Sequence, residues 1–163
     1  MSEVRTAMAT WSGDLQSGSG TIDYVSSGAF SRMPITWASR TSAHNGRTSP
    51  EELLAAAHAA CFSMAFSARL GKNGTPATKL SVRVEVTFDN AGGGWKVAKS
   101  HIVVQGDVPG IDAAKFAELA EDAKDNCPIS GAIKGNVELS VEATLVEPGK
   151  AGQMPTGHLV GTS

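Results

Sequence analysis

The segment that decides the fold is "SPEELLAAAHAACFSMAFSARL", Ser49 to Leu70. Ser49 stands as an N-cap, Pro50 takes the first helical position, and Glu52 three residues past the cap completes a capping box, so a helix starts here. Its apolar residues fall on every face, yet its middle carries His58 and Cys61. A helix of this kind must be enclosed, because each exposed apolar face forgoes about 25 cal/mol per Å² of burial. One sheet covers one side only. Ala55, Ala56, Ala57, Ala59, Ala60, Ala65 and Ala68 are small enough to admit another helix at close range. The uncovered side is therefore expected to meet the same helix of a partner subunit in a homodimer, the alternative being a monomer completed by its own second helix.

Upstream of this helix, "VRTAMATW", "GTIDYVSS" and "MPITWAS" read as strands of a meander separated by turns such as "SGDLQSGSG", and the polar loop "RTSAHNGRTS" leads into the helix. Downstream, Leu80, Val82, Val84, Val86 and Phe88 alternate with polar residues, and "AGGG" turns into "WKVAKSHIVVQGDV", the expected antiparallel partner. Phe116, Leu119, Ala120 and Ala123 then recur at helical spacing up to "DNCPIS", and "VELSVEATLV" is a last alternating strand. The order is strands, long helix, strands, helix, strand, which makes an α+β chain. Residues 1–147 are expected to form one domain, and the Gly- and Pro-rich stretch from Pro148 to Ser163 a mobile extension.

The chain has 163 residues, enough for one real core. Lys and Arg number 14 against 16 Asp and Glu, with no basic block to track a phosphate backbone, so nucleic acid is not an expected partner. "MSEVRTAMATW" lacks the layout of a signal peptide, and the nearly apolar run Leu53–Phe66 falls short of a bilayer span, so no membrane contact and a cytoplasmic location are expected.

Only two cysteines occur, Cys61 and Cys127, and thiols in a reducing compartment are more often catalytic or inert than structural staples. His58 and Cys61 share a helix face at a spacing of three, the geometry of a metal pair or of a base beside a nucleophile. His44, His101 and His158 are scattered, so no metal site is expected, and His58 taken alone is expected to be a hydrogen-bonded core histidine. A cysteine hydrolase using Cys61 and His58, or a non-enzymatic ligand-binding dimer with inert thiols, are the competing functional readings. In the redox reading one thiolate becomes a sulfenic acid and the other condenses with it. Local physics leaves open which thiol attacks. Cys127 precedes Pro128 and could cap a helix whose N-terminus favours a thiolate, although Asp122 and Asp125 oppose this, whereas mid-helix Cys61 needs a cation from elsewhere.

"TSPEELLAAAHAACFSMA", followed later by "VPGID" and "NCPIS", closely resembles the OsmC branch of the OsmC/Ohr peroxidases over about residues 8 to 147, and "AAHAACFS" and "GSGTIDY" look more like OsmC than Ohr. The resemblance implies an OsmC-like α+β fold with antiparallel sheets wrapped around a long central helix. It also implies an intertwined homodimer with two sites at the subunit interface, acting as a thiol peroxidase on organic hydroperoxides. No haem, flavin or metal is implied. By position in the motif Cys61 corresponds to the peroxidatic cysteine, Cys127 to the resolving one and Glu51 to the carboxylate of the Pro-Glu pair. Arg40 in "ITWASR" corresponds to the active-site arginine in the strand before the helix, with Arg32 and Arg47 nearby in sequence. Members of the family are typically rereduced by an external dithiol, often a lipoyl group.

Thiolate supply alone cannot explain such a peroxidase. Lowering a thiol from a pKa of about 8.5 to about 6 raises its ionised share at pH 7 roughly thirtyfold, but a Brønsted slope of about 0.4–0.5 returns around tenfold, leaving about two- to threefold. Stabilisation of the departing RO⁻ must do more, and a guanidinium can hold first the thiolate and then the leaving oxygen. This role is expected of Arg40, with Glu51 fixing its plane. Glu51 and Cys61 are ten residues apart, about 15 Å on a straight helix. Either the helix breaks between them or, as expected, the Glu51 that serves a given Cys61 comes from the partner subunit. Phe62, Met64 and Phe66 are expected to favour bulky alkyl hydroperoxides over H₂O₂.

Overall fold

A computed structural model of the chain describes residues 1–152 and residue 154. The described chain forms two compact units, Met1–Leu53 and the residues from Leu54 onward. In the first unit β1 (Ala7–Ser12), β2 (Ser19–Val25) and β3 (Ser31–Ile35) form the expected antiparallel meander in that order. Strand β3 stops at Ile35 rather than continuing through "TWAS". Thr36 and Ser39 are the reason: Ser39 N–H donates to Thr36 Oγ1 (3.1 Å) and Thr36 N–H to Ser39 Oγ (3.2 Å). This reciprocal exchange of side-chain-to-backbone bonds competes with strand pairing, and Ala38–Thr41 follows as a short helix, α1. Arg40 accordingly lies on α1 and not in a strand.

The loop after α1 folds back on the end of β3. Ser39 Oγ is 2.8 Å from the Thr48 carbonyl oxygen, and Thr48 N–H donates to the Pro34 carbonyl at 3.0 Å. Helix α2 (Pro50–Lys72) then begins where the capping signals place it. Glu52 N–H donates to Ser49 Oγ (3.1 Å), while the Glu52 carboxylate accepts from the Thr48 hydroxyl (2.9 Å). α2 is unbroken over 23 residues, long and apolar enough by length and composition to cross a membrane, unlike the shorter Leu53–Phe66 run read from sequence.

One face of α2 is core. In the second unit Phe62, Phe66 and Leu70, repeating every fourth residue, pack with Ile102 and Val104 of β5 (Lys96–Asp107) and with Phe116, Ala120 and Ala123 of α3 (Ala113–Asn126). The Phe66 ring centroid lies 5.5 Å from Phe62 and 5.0 Å from Phe116. A Cβ at Gly106 would come within 2.5 Å of the Phe116 ring, so a glycine there lets α3 approach the strand. The opposite face of α2, with Ala56, Ala57, Ala60, Met64 and Ala68, is exposed, Met64 at 68%.

β4 (Lys79–Asp89) and β5 form the predicted hairpin, with a bulge between Thr87 and Phe88 and a Phe88–Trp95 stack at 4.8 Å near the turn. β6 (Glu138–Leu145) joins β5 in parallel, so this sheet is mixed rather than wholly antiparallel. Parallel neighbours need a long crossover, which α3 and α4 (Pro128–Ile133) supply. The start of the C-terminal stretch is tied down instead of mobile: Gly149 N–H donates to Asp107 Oδ2 (2.9 Å) and Ala151 is buried. The rest of that extension, His158 included, lies outside the described residues.

Candidate active site

Cys61 comes from the middle of α2 and Cys127 from the junction of α3 and α4. Cys127 closes α3 by donating its N–H to the Ala123 carbonyl (2.9 Å) and, in extended conformation, is also the N-cap of α4. Its side chain caps neither helix. Its Sγ lies 2.9 Å from Cys61 Sγ, and both are free thiols. A disulfide needs about 2.05 Å between the sulfurs. Two cysteines 66 residues apart in sequence are thus in hydrogen-bond contact, one short displacement from a covalent bond.

The sequence places the helix start at Pro128 directly after Cys127. In the structure its first turn bears on the other sulfur, since the Ile129 backbone amide favours the Cys61 thiolate. Burial pushes the Cys61 thiol up from its ordinary value, and the hydrogen bond and proximity of Cys127 push the same way; only the Ile129 amide favours the thiolate.

His58 is fully buried. Its Nδ1 is 2.7 Å from Ser100 Oγ and its Nε2 2.8 Å from Ser130 Oγ. Burial lowers its pKa, so the ring is neutral, with one nitrogen donating and the other accepting. Both nitrogens are spent on serine hydroxyls, which argues against His58 as the base of a cysteine hydrolase and fits the hydrogen-bonded core histidine. Among the described residues no cluster of three His, Cys, Asp or Glu side chains is placed to hold a metal.

In the first unit Arg40 and Glu51 meet. Arg40 Nη2 lies 2.6 Å from Glu51 Oε1, and Nε lies 3.2 Å from both carboxylate oxygens. The fold-back of the loop onto β3 brings them together, and the Trp37 ring centroid lies 5.5 Å from Arg40 Cζ. Arg32 and Arg47 are exposed. A cavity of about 310 Å³ opens beside this pair, lined by Trp11, Leu15, Ile35, Thr36, Trp37, Arg40 and Pro50. Phe62 and Phe66, expected to line a substrate site, are instead fully buried core residues, because the stripe they share with Leu70 faces the sheet.

Residues 43–142 match the family described as OsmC-like protein. The chain belongs to the OsmC family. It is 36% identical over 138 residues to peroxiredoxin OsmC of Escherichia coli (strain K12), covering 85% of this chain and 95% of that protein. It is 31% identical over 99 residues to organic hydroperoxide resistance protein-like 2 of Staphylococcus epidermidis, covering 60% and 68%. Among solved structures, the organic hydroperoxide resistance protein OhrB of Bacillus subtilis matches with a TM-score of 0.60 at 29% identity, covering 85% of this chain and 98% of that one.

Several residues beside the thiols and beside Arg40 were not singled out from sequence. Ser100 carried a signal, since it falls in the alternation with Ile102 and Val104 that faces the core, and a hydroxyl there demands a partner. Ser130 and the Ile129 amide carried none. Trp11 and Trp37 read as strand residues, and only the turn at Thr36 shows that they share a cavity with Arg40.

Proposed function

We propose that the protein is a cysteine-based peroxidase of stress defence that reduces organic hydroperoxides to alcohols. Cys61 thiolate attacks the outer oxygen of ROOH, the O–O bond breaks, and RO⁻ takes up a proton, leaving Cys61–SOH and ROH. Cys127 then attacks the Cys61 sulfur, releasing water and forming the Cys61–Cys127 disulfide, which an external dithiol of the lipoyl type reduces without a resident cofactor. The observation that carries this reading is the 2.9 Å approach of two free thiols in an OsmC-family chain. The names of the relatives, a peroxiredoxin and organic hydroperoxide resistance proteins, support it.

Arg40, oriented by Glu51, would stabilise the Cys61 thiolate and then the leaving alkoxide. α2 is continuous between Glu51 and Cys61, a span of about 15 Å. A helix break therefore cannot bring the two together, which supports a pair contributed by a partner subunit. A second copy would also cover the exposed Ala56, Ala57, Ala60, Met64 and Ala68 face, making the homodimer the working form. The apolar cavity beside Arg40 suits a bulky alkyl or aryl group. A cysteine pair that must return to the dithiol after each turnover would suit a reducing compartment such as the cytoplasm.

The test is consumption of cumene hydroperoxide with dithiothreitol by the parent, Cys61→Ser and Cys127→Ser proteins. The parent turns over, Cys61→Ser does not, and Cys127→Ser over-oxidises at Cys61. Ester cleavage without peroxide consumption would establish the hydrolase instead.

A further inference from the structure

The structure assigns His58 a role in the resolving step: through Ser130 it clamps the start of α4, so that the Cys127 thiol and the Ile129 amide are held on Cys61. This rests on the peroxidase reading above and identifies a positioning residue rather than a group that touches substrate.

Most of α4 is open to solvent. Of its six residues only Ser130 is fully buried; Pro128, Gly131 and Ala132 are exposed, and Ile129 and Ile133 are half-buried. Its buried side-chain bond is that of the Ser130 hydroxyl, 2.8 Å from His58 Nε2, while the far nitrogen of the same ring is 2.7 Å from Ser100 on β5. Because imidazole is rigid and planar, the spacing between the two serines is set by the ring itself. Ser130 lies one residue after the Ile129 amide and three after Cys127, within the same helical turn. His58, Ser100 and Ser130 are each wholly shielded from solvent. A fully satisfied buried polar cluster adds little net stability over apolar packing, but it specifies one arrangement.

That arrangement matters when Cys61 carries a sulfenic acid. Closure joins Cys127 sulfur to Cys61 sulfur, while the sulfenic oxygen leaves as water with the Cys127 thiol proton. The competing event is a second ROOH delivering an oxygen to the same sulfur, giving the sulfinic acid and ROH. Closure is intramolecular, so its rate depends on how narrowly Cys127 is confined, whereas the second oxidation depends on peroxide concentration.

Reduced parent, Ser130→Ala and Ser130→Thr proteins are treated with graded cumene hydroperoxide without reductant and read by intact mass. Disulfide appears as loss of two hydrogens and sulfinic acid as gain of two oxygens. The parent closes to disulfide. Ser130→Ala shows about a tenfold higher sulfinic-to-disulfide ratio, as expected for loss of one geometry-setting hydrogen bond, and Ser130→Thr, which keeps the hydroxyl, returns towards the parent. A merely structural hydroxyl would lower the urea midpoint and leave the ratio unchanged; that unchanged ratio in folded Ser130→Ala overturns the role. Should Ser130→Ala not fold, hydrogen exchange in the parent decides. The Gly131 and Lys134 amides, bonded to the Cys127 and Ser130 carbonyls, must then be protected like those of β5, and exchange at loop rates overturns the clamp. A parent in which neither sulfur oxidises fails the peroxidase reading itself, a result distinct from an unchanged ratio.

Discussion

Replacing His58 by Gln changes how stability responds to acid. Burial holds the folded pKa of His58 below its ordinary value of 6.5, and the two groups bonded to its ring are neutral hydroxyls that supply no compensating charge. Between the folded pKa and 6.5 the unfolded chain binds the proton and the folded chain does not, so stability rises with pH across that window. The contribution is fully present above 6.5 and is lost as pH falls towards the folded pKa, at up to about 1.4 kcal/mol per pH unit. Gln keeps a neutral donor and acceptor but does not titrate. Urea unfolding of parent and His58→Gln from about pH 7.5 to about pH 5.5 isolates this contribution, because every other titrating group is common to both. The Gln protein starts less stable and closes the gap as pH falls. Parallel stability curves, or a parent that gains on the variant in acid, would refute the burial of a neutral His58.

Other outcomes follow from the same geometry. Arg40→Lys keeps the charge but loses the two-nitrogen grip on Glu51, and its cumene hydroperoxide turnover should drop by about a hundredfold; turnover equal to the parent would remove the proposed role. Cys127→Ala deletes two of the influences that raise the Cys61 thiol, so the pH midpoint of Cys61 alkylation by iodoacetamide should move down, and an unmoved or higher midpoint contradicts the observed contact. Phe66→Ala opens a hole between the Phe62 and Phe116 rings and should cost about 3–5 kcal/mol in urea unfolding. Sedimentation of the parent should give the mass of two chains, and a Met64→Glu substitution on the exposed α2 face should shift it towards one.

The helix boundary at Ser49 and Pro50, the meander, the β4–β5 hairpin and the α3 periodicity were legible because each is a local pattern of caps, turns and alternation. "MPITWAS" alternates well enough to read as a strand leading to Arg40, while the Thr36–Ser39 exchange of hydrogen bonds that ends it depends on hydroxyl orientation. The parallel placement of β6 was not legible either, since period-two alternation is the same for either direction.

The local chemistry of this chain, down to which residues are thiols, which carboxylate opens the long helix and which side chains alternate towards a core, follows from sequence alone, because propensity and periodicity act over a few residues. Contacts across tens of residues were decided by tertiary structure. Only there does Cys127 reach Cys61, does the Ile129 amide serve the sulfur opposite rather than its own neighbour, and does His58 find two serines on separate elements. The reason is physical: a buried polar group must find its partner wherever packing brings one, and packing is a property of the whole fold.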